Sequence, residues 1–494
     1  MAEVELKFEL APEAHAAFRR LKPIARSEPH TARLHALYFD TPEFELRDRQ
    51  MALRLRRSGR RWVQTLKAGR SGAGGLHARE EWEFERAQPS LDLTLFAETP
   101  LGDAPQFDGR LGEIFQVDVR RTTWELEVSP GNRVEVALDR GEVSRLGNRE
   151  PVAEVEIESI EGDPLAVFDL AEQLVDSAPL RPSAVTKAQR GYRLARGEAH
   201  GPVKAQAVAL DAAQSPEQAA RTVVASALEQ LQANELGVLA YPDPEYLHQF
   251  RVALRRLRSA LRVFRKVLDP AFDAQACTEV QWIARATGAA RDWDVAATQT
   301  LPAILEANGD VHAARSVRAR VAVRRKAARA QLRESLRSPR YVRLVLLIAR
   351  WLATPACIGS APGEGLAEFA ARAVAKRHKR LAAGARELSA LTPAERHRLR
   401  LEAKRLRYAL EGFETLFRRK GFATYRELLA EIQDDLGRAN DAAVAARLLG
   451  ELKPPATLAN FARGWLAAET HSSVAALDRH SERLAATKPP REKT

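Results

Sequence analysis

From the first residues to about residue 195, apolar and polar positions alternate with period two in short runs separated by Gly, Pro or Asp clusters. The runs are Glu3 to Leu10, Ala52 to Arg57, Arg61 to Lys67, Arg79 to Glu85, Arg121 to Val128, Arg133 to Asp139 and Glu154 to Glu158. This density of alternation predicts an antiparallel sheet or barrel. Segments near 12–22 and 163–177 carry helical spacing and can cover it from outside. From about residue 219, spacings of three and four take over, with Ala, Leu, Arg and Glu abundant, and predict a nearly all-helical second half. The stretch 196–218 reads as a linker. TPACIGSAPGEG (Thr354 to Gly365) reads as a break, and the last nine residues as a frayed tail. The expected organisation is a domain over 1–195, then a helical domain over 219–485 in two parts, about 219–353 and 366–485.

Composition adds a direction to this pattern. The 494 residues include 77 Lys and Arg against 65 Asp and Glu, a formal net charge of +12. An apolar content of 45% with 29% charged residues is that of a globular protein and excludes wholesale disorder. Cys277 and Cys357 are too few for a disulfide framework or a cysteine-based zinc site, as expected in a reducing compartment. Charges from the third residue onward exclude a secretory signal, and the apolar run Leu344 to Ala349 is too short to span a bilayer. A cytoplasmic location is expected. Residues 1–200 carry 29 Lys and Arg against 34 Asp and Glu, a net of −5, so the remainder carries +17. Such an asymmetry points to halves with different partners, one of them polyanionic.

The charges of the first half are sorted by strand face. Glu3, Glu5, Lys7 and Glu9 share one parity, and Val4, Leu6, Phe8 and Leu10 the other. Arg54 and Arg56 alternate with Leu53 and Leu55; Glu154, Glu156 and Glu158 oppose Val155 and Ile157. A half-buried sheet with one wet face also alternates. Wet faces, however, run to Ser, Thr, Gln and Lys, whereas Arg and Glu dominate here. If the sheet closes, the charged parity of every strand meets in one lumen. A polyphosphate with divalent metal ions satisfies such a lumen. Arg and Lys neutralise phosphate oxygens, and carboxylates take hard, oxygen-ligated Mg2+ or Mn2+.

Glu3-Val-Glu5-Leu-Lys7 resembles the ExExK signature of the CYTH domain, also called the triphosphate tunnel metalloenzyme fold. The resemblance runs in order through YFDTPEFEL (Tyr38 to Leu46), ALRLR (Ala52 to Arg56), the strand ending in Lys67 and RxExE (Arg79 to Glu83). It continues through VALDRG (Val136 to Gly141), AEVEIE (Ala153 to Glu158) and TKAQRGY (Thr186 to Tyr192). It implies an α+β chain whose N-terminal half is an antiparallel eight-stranded tunnel β-barrel with covering helices. It also implies triphosphate hydrolysis with Mg2+ or Mn2+ as cofactor. Carried over, Lys7, Arg54, Arg56, Lys67, Arg79, Arg121 and Lys187 would grip the phosphates, with Arg133 a further member on the same parity. Glu3, Glu5, Glu154 and Glu156 would carry metal, aided by Asp139 and Glu81. Glu3, Glu5 and Lys7 are the catalytic candidates, and Glu5 is a carboxylate able to orient the attacking water. No adenine pocket is signalled for cyclisation of ATP. The Gly-rich stretch Gly69 to Gly75 lacks the Lys-Ser/Thr of a nucleotide cradle.

The helical half repeats itself. HQFRVALRRLRSALRVF (His248 to Phe264) aligns with HRLRLEAKRLRYALEGF (His397 to Phe413) at an offset of 149, and the register reaches Gly288 with Gly437 and Asp292 with Asp441. On a helix, His248, Arg251, Arg255, Arg258 and Arg262 form one stripe beside Phe250, Leu254, Leu257, Leu261 and Phe264. The second copy sets His397, Arg400, Lys404 and Arg407 beside Leu399, Ala403, Leu406, Leu410 and Phe413. These features resemble the CHAD domain, an all-helical module often fused to CYTH, which implies binding of inorganic polyphosphate. His248, Arg251, Arg255, Arg258, His397, Arg400, Lys404 and Arg407 would line the groove, while Arg256 and Arg405 turn to an adjoining face. The basic run from Arg315 to Arg350 would widen the patch.

The expected function is metal-dependent hydrolysis of inorganic triphosphate in the first half and inorganic polyphosphate binding by the second, with association to polyphosphate granules a corollary. The alternative is a non-enzymatic polyphosphate-binding protein. Nucleic acid is disfavoured as a partner because aromatics, 6% of the chain, mostly occupy apolar stripes. No membrane contact is expected.

Overall fold

The computed structural model describes residues 3–59, 61–69, 72–102, 107, 109–355, 365–384 and 391–491. The chain divides into two compact units, Met1–Gly201 with Arg337–Pro355, and Pro202–Leu336 with Ala356–Thr494. Strands β1 (Glu3–Glu9), β2 (His30–Asp40), β3 (Met51–Ser58), β4 (Arg61–Ala68), β5 (Leu76–Arg86), β6 (Gly112–Ser129), β7 (Asn132–Arg145), β8 (Asn148–Glu161) and β9 (Arg181–Pro182) all lie in the first unit. Helices α1 (His15–Phe18), α2 (Glu45–Asp48), α3 (Ala166–Leu174) and α4 (Lys187–Arg196) accompany them. Then follow α5 (Pro216–Ala240), α6 (Pro244–Phe264), α7 (Pro270–Val295), α8 (Leu301–Asn308), α9 (Val311–Arg337) and α10 (Pro339–Ala353). The chain continues through α11 (Leu366–Gly384), α12 (Pro393–Gly412), α13 (Phe422–Leu452) and α14 (Ala456–Ala486).

The strands form one antiparallel sheet in the order β5-β4-β3-β2-β6-β7-β8-β1-β9. Among the described residues it has nine strands, not the eight of the expected closed barrel. The physical reason lies at β1. Its pairing with β5 is confined to Glu3–Leu6 against Arg79–Leu76, and β9 takes the next stretch of that edge at Phe8 and Glu9. The α+β class is as expected. Cross-strand register gathers the charges into a belt: Lys7 lies opposite Glu156, Arg121 opposite Asp139, Asp139 opposite Glu154, and Thr65 opposite both Arg54 and Glu83.

The other parity is apolar and covered. Leu6, Phe8, Trp124, Val134, Val136, Val155 and Ile157 are buried with Val167, Phe168 and Leu170 of α3. Helix α10 completes this layer with Val342, Leu346 and Ala349. Its polar edge is tied to α3 by Arg350 to Asp169 at 2.6 Å and by Arg343 to Glu172 at 3.2 Å, and Arg343 also reaches Asp176 at 2.5 Å. Helix α4 starts at a capping box of Thr186 and Gln189. Its Tyr192 packs with Tyr38, Phe115, Val117, Val119, Val143 and Val152. Only a residue without a side chain fits at Gly191, where a Cβ would stand 2.1 Å from the Phe115 ring.

In the second unit, helix starts are marked by Ser215, Asp243, Asp269 and Thr392, each accepting a hydrogen bond from a first-turn N–H and each followed by Pro. The apolar stripes read from the repeat are buried: Phe250, Leu254, Leu257, Leu261 and Phe264 on α6, and Leu399, Ala403, Leu406, Leu410 and Phe413 on α12. With these faces inward, α6 and α12 contact each other, and their basic stripes border a common space. Among the described residues, no helix is long and apolar enough to cross a membrane.

Candidate active site and basic cavity

The first unit holds a cavity of about 550 Å³. Of the residues singled out in the sequence, Glu5, Lys7, Arg54, Arg56, Lys67, Glu81, Arg121, Asp139, Glu156 and Lys187 line it. They form two groups. In one, Arg121 makes a bidentate contact with Asp139, Nε to Oδ1 at 2.8 Å and Nη2 to Oδ2 at 2.7 Å, and also meets Glu156. Lys187, at the start of α4, puts its Nζ 2.7 Å from Asp139, 2.8 Å from Glu156 and against Glu154. Lys7 Nζ lies 2.9 Å from Glu156, 3.5 Å from Glu154 and 3.8 Å from Glu5. In the second group, Arg54 contacts Glu81 at 3.2 Å and Glu83 at 3.5 Å, Arg56 contacts Glu83 at 3.3 Å, and Lys67 pairs with Glu81.

Burial and mutual charge set the protonation of these groups. Burial opposes charge on Glu156, yet Lys187, Lys7 and Arg121 outweigh it and hold the carboxyl well below its ordinary value. Asp139 is lowered in the same way, against its burial, by Lys187 and Arg121. Glu5 goes the other way: burial, then the negative Glu156, raises it. Lys187 is raised well above its ordinary value because Asp139, Glu154 and Glu156 overcome its desolvation. Strong coupling of this kind makes the acids titrate as a set.

Asp139, Glu154 and Glu156 present oxygens that lie within 4.8 Å of one another. The fully buried Glu154 meets Lys187 and Lys7 through Oε1, whereas Oε1 of Glu5 is buried and accepts no hydrogen bond from a described residue. A buried set of hard carboxylate oxygens, with the donorless Oε1 of Glu5 on the same cavity, fits a divalent cation. Glu81 stands with Lys67 and Arg54, apart from this trio. Arg133 is not brought in: it is 45% exposed and pairs with Glu125 and Glu161. The Glu3 and Arg79 side chains lie outside the described residues. Sequence reasoning passed over the cavity-lining roles of Tyr38, Glu83, Glu135 and Glu158, though Glu83, Glu135 and Glu158 shared the charged parity that located the rest.

The second unit holds a separate basic cavity of about 490 Å³. His248, Arg251, Arg255, Arg258, His397, Arg400 and Lys404 all line it, together with Arg262, Arg291 and Arg405. Arg407 instead lines a neighbouring space of about 850 Å³, which shares His248, Arg255, Arg400 and Lys404 with the first. Arg256 is buried and bonds Gln230 Oε1 at 2.8 Å, whereas Arg405, expected on an adjoining face, lines the basic cavity itself. Carboxylates are few: Asp441, 3.8 Å from Arg400, and Asp292, 3.3 Å from Arg447. Burial, then Arg291, lowers the pKa of His248, and burial, then Arg255, pushes Arg251 down to about 10, still charged at neutral pH. The role of Arg291 was missed, although it pairs with Asn440 in the repeat and both line the cavity. The run from Arg315 to Arg350 does not extend this site. Arg325 and Arg329 pair with buried Asp294, Arg320 bonds the carbonyls of Leu452 and Lys453, and Arg343 and Arg350 belong to the first unit.

A sheet-based cavity of paired cations and carboxylates and a duplicated helical unit with a cationic cavity together define a class. Residues 222–450 match the CHAD domain, the family to which the chain belongs, and residues 1–192 match the CYTH domain. The CHAD domain from the plant Ricinus communis is 38% identical, with a TM-score of 0.53, covering 60% of this chain and 100% of that one. An inorganic triphosphatase of Haemophilus influenzae is 29% identical over 198 residues, 39% of this chain. The matched region is 55% of that relative, so the chain spans about half of its length.

Proposed function

We propose that the N-terminal cavity hydrolyses inorganic triphosphate with a divalent metal ion, Mg2+ or Mn2+, and that the helical unit binds inorganic polyphosphate in its basic cavity. The observation that carries the first part is the lining itself: Lys7, Arg54, Arg56, Lys67, Arg121 and Lys187 share one cavity with Glu5, Asp139 and Glu156. The metal ion would be held by Asp139, Glu154, Glu156 and Glu5, and supplies Lewis-acid polarisation of a phosphoryl oxygen. The chain's own groups do the remainder. Arg54, Arg56 and Lys67 grip one end of the substrate and Arg121, Lys7 and Lys187 the other. Their charge meets the charge that develops on the transferred phosphoryl group. Asp139 fixes the guanidinium plane of Arg121 through its two hydrogen bonds, so this cation needs no reorganisation during the reaction. Glu5, whose buried Oε1 lacks a donor and whose pKa is raised by burial, orients the attacking water and accepts its proton. The likeness to an inorganic triphosphatase supports the substrate.

The decisive experiment is phosphate release from tripolyphosphate by the purified chain, with divalent metal and with chelator. Metal-stimulated release, abolished by chelation, is the expected result. Intact tripolyphosphate alongside retained polyphosphate binding would leave a binding protein only.

A further inference from the structure

The repeat sets a guanidinium and an ammonium at equivalent places: Arg255 on α6 and Lys404 on α12, 149 residues apart. Both line the basic cavity and the space beside it. The two side chains differ in one respect that matters here. A guanidinium stays charged in proteins, whereas a buried ammonium gives up its proton readily.

Most of the charged groups that line the basic cavity with Lys404 are cations, which favour that loss. On its own helix Arg400 is the cation that acts on it most strongly, with Arg405, Tyr408 and His397 also on the cavity wall. Helix α6 contributes Arg251, Arg255 and His248, and α7 contributes Arg291 and Asp292. Of the acids, Asp441 of α13 lies 3.8 Å from Arg400 and Asp292 is engaged at 3.3 Å by Arg447, while the adjoining space adds Asp434 and Arg438 of α13, Arg407 and Glu411 of α12, Arg256 of α6, and Glu414. Lys404 itself forms no ion pair with a described residue. Burial, followed by Arg400, Arg255 and Arg251, pushes its pKa down to about 6 against the opposing charge of Asp441. Polyphosphate entering this space would replace surrounding cations with anions, the condition that favours the charged amine.

We propose that Lys404 is a proton-binding site coupled to polyanion binding: its amine is uncharged in the empty cavity and takes up one proton from solvent when phosphates enter. This rests on the polyphosphate reading of the cavity and adds to it that the proton is a second ligand. The sign follows from linkage. Between the value in the empty cavity and the higher one in the complex, the complex holds one more proton, so affinity falls nearly tenfold per pH unit as pH rises.

The test is calorimetric titration of the full chain with long-chain inorganic polyphosphate near pH 8, in buffers of different ionisation enthalpy. At that pH terminal phosphates, with a second pKa of about 6, are already ionised. The expected result is uptake of about one proton per site in the parent chain and none in Lys404→Arg. Binding by Lys404→Arg should also lose its pH dependence and, near pH 8, become tighter than that of the parent chain. Binding without proton uptake, or unchanged uptake in Lys404→Arg, overturns the proposal while leaving polyphosphate binding intact. No binding by any of the proteins overturns the cavity reading and this inference with it.

Discussion

Single side chains in the first cavity are held in opposite electrostatic states, and this makes their substitutions diverge. Asp139 is fully buried and holds both Arg121 and Lys187. Asp139→Asn leaves those cations short of a partner, and breaking a buried pair in this way costs about 3–5 kcal/mol of stability. Glu5 is the reverse case, a carboxyl whose charged form is disfavoured by burial and by Glu156. Glu5→Gln removes that penalty, so it should stabilise the chain at neutral pH while stopping turnover. The pH signs agree. Glu156 and Asp139 have lowered pKa values, so their stabilisation is present above the ordinary carboxylate range of about 4 and is lost as pH falls through their lower folded values. Glu5, being raised, contributes below its ordinary value and loses that contribution as pH rises through its folded one. Urea unfolding with chelator present, across pH, checks all of this. A destabilised Glu5→Gln at neutral pH would contradict the account.

At the scale of elements, what was legible depended on whether a pattern named its partner. The charged parity of β1, β3, β7 and β8 was enough to locate most of the lining, because alternation fixes which residues share a face. Ala36, Tyr38, Val117 and Val119 line the same cavity yet were not anticipated. In LHALYFD and IFQVDV apolar residues fall on both parities, and alternation then says nothing about inside and outside. Strand β9 is two residues long, below the reach of any periodicity, and it changes the strand count. Helix α10 shows the same limit. Its apolar run Leu344 to Ala349 excluded a membrane span but named no partner, and only packing reveals α3 among what it is buried against, within a stretch that matches the CHAD domain. Helix α4 offers a test in which two effects have opposite sign. Helix propensity favours Gly191→Ala by about 1 kcal/mol. A methyl group 2.1 Å from the Phe115 ring must instead push α4 off its seat and carry Lys187 away from Asp139 and Glu156. We expect a lower melting temperature and reduced turnover. A more stable, fully active variant would mean that α4 does not position Lys187 through this contact.

Across the whole molecule, charge is partitioned as the two cavities require. The first 200 residues are net −5 because their cations are matched by carboxylates that a metal ion would also need; the remainder is net +17 because few acids oppose its arginines. A balanced site and an unbalanced one respond differently to salt. Polyphosphate held in the second cavity releases counterions, so its affinity should fall steeply with ionic strength. Turnover of a short triphosphate among buried charges such as Lys7, Asp139 and Glu156 is screened less. The two sites occupy separate units, so their lesions should separate as well. Glu5→Ala should abolish phosphate release and leave long-chain polyphosphate binding and its salt slope unchanged. Arg255→Ala with Lys404→Ala should spare tripolyphosphate turnover but weaken long-chain binding and flatten the slope, since fewer phosphates are then neutralised. Measuring both activities of both variants over a salt series decides the matter. Parallel loss of the two activities in either protein would mean that one site serves both, and the charge asymmetry would then need another cause.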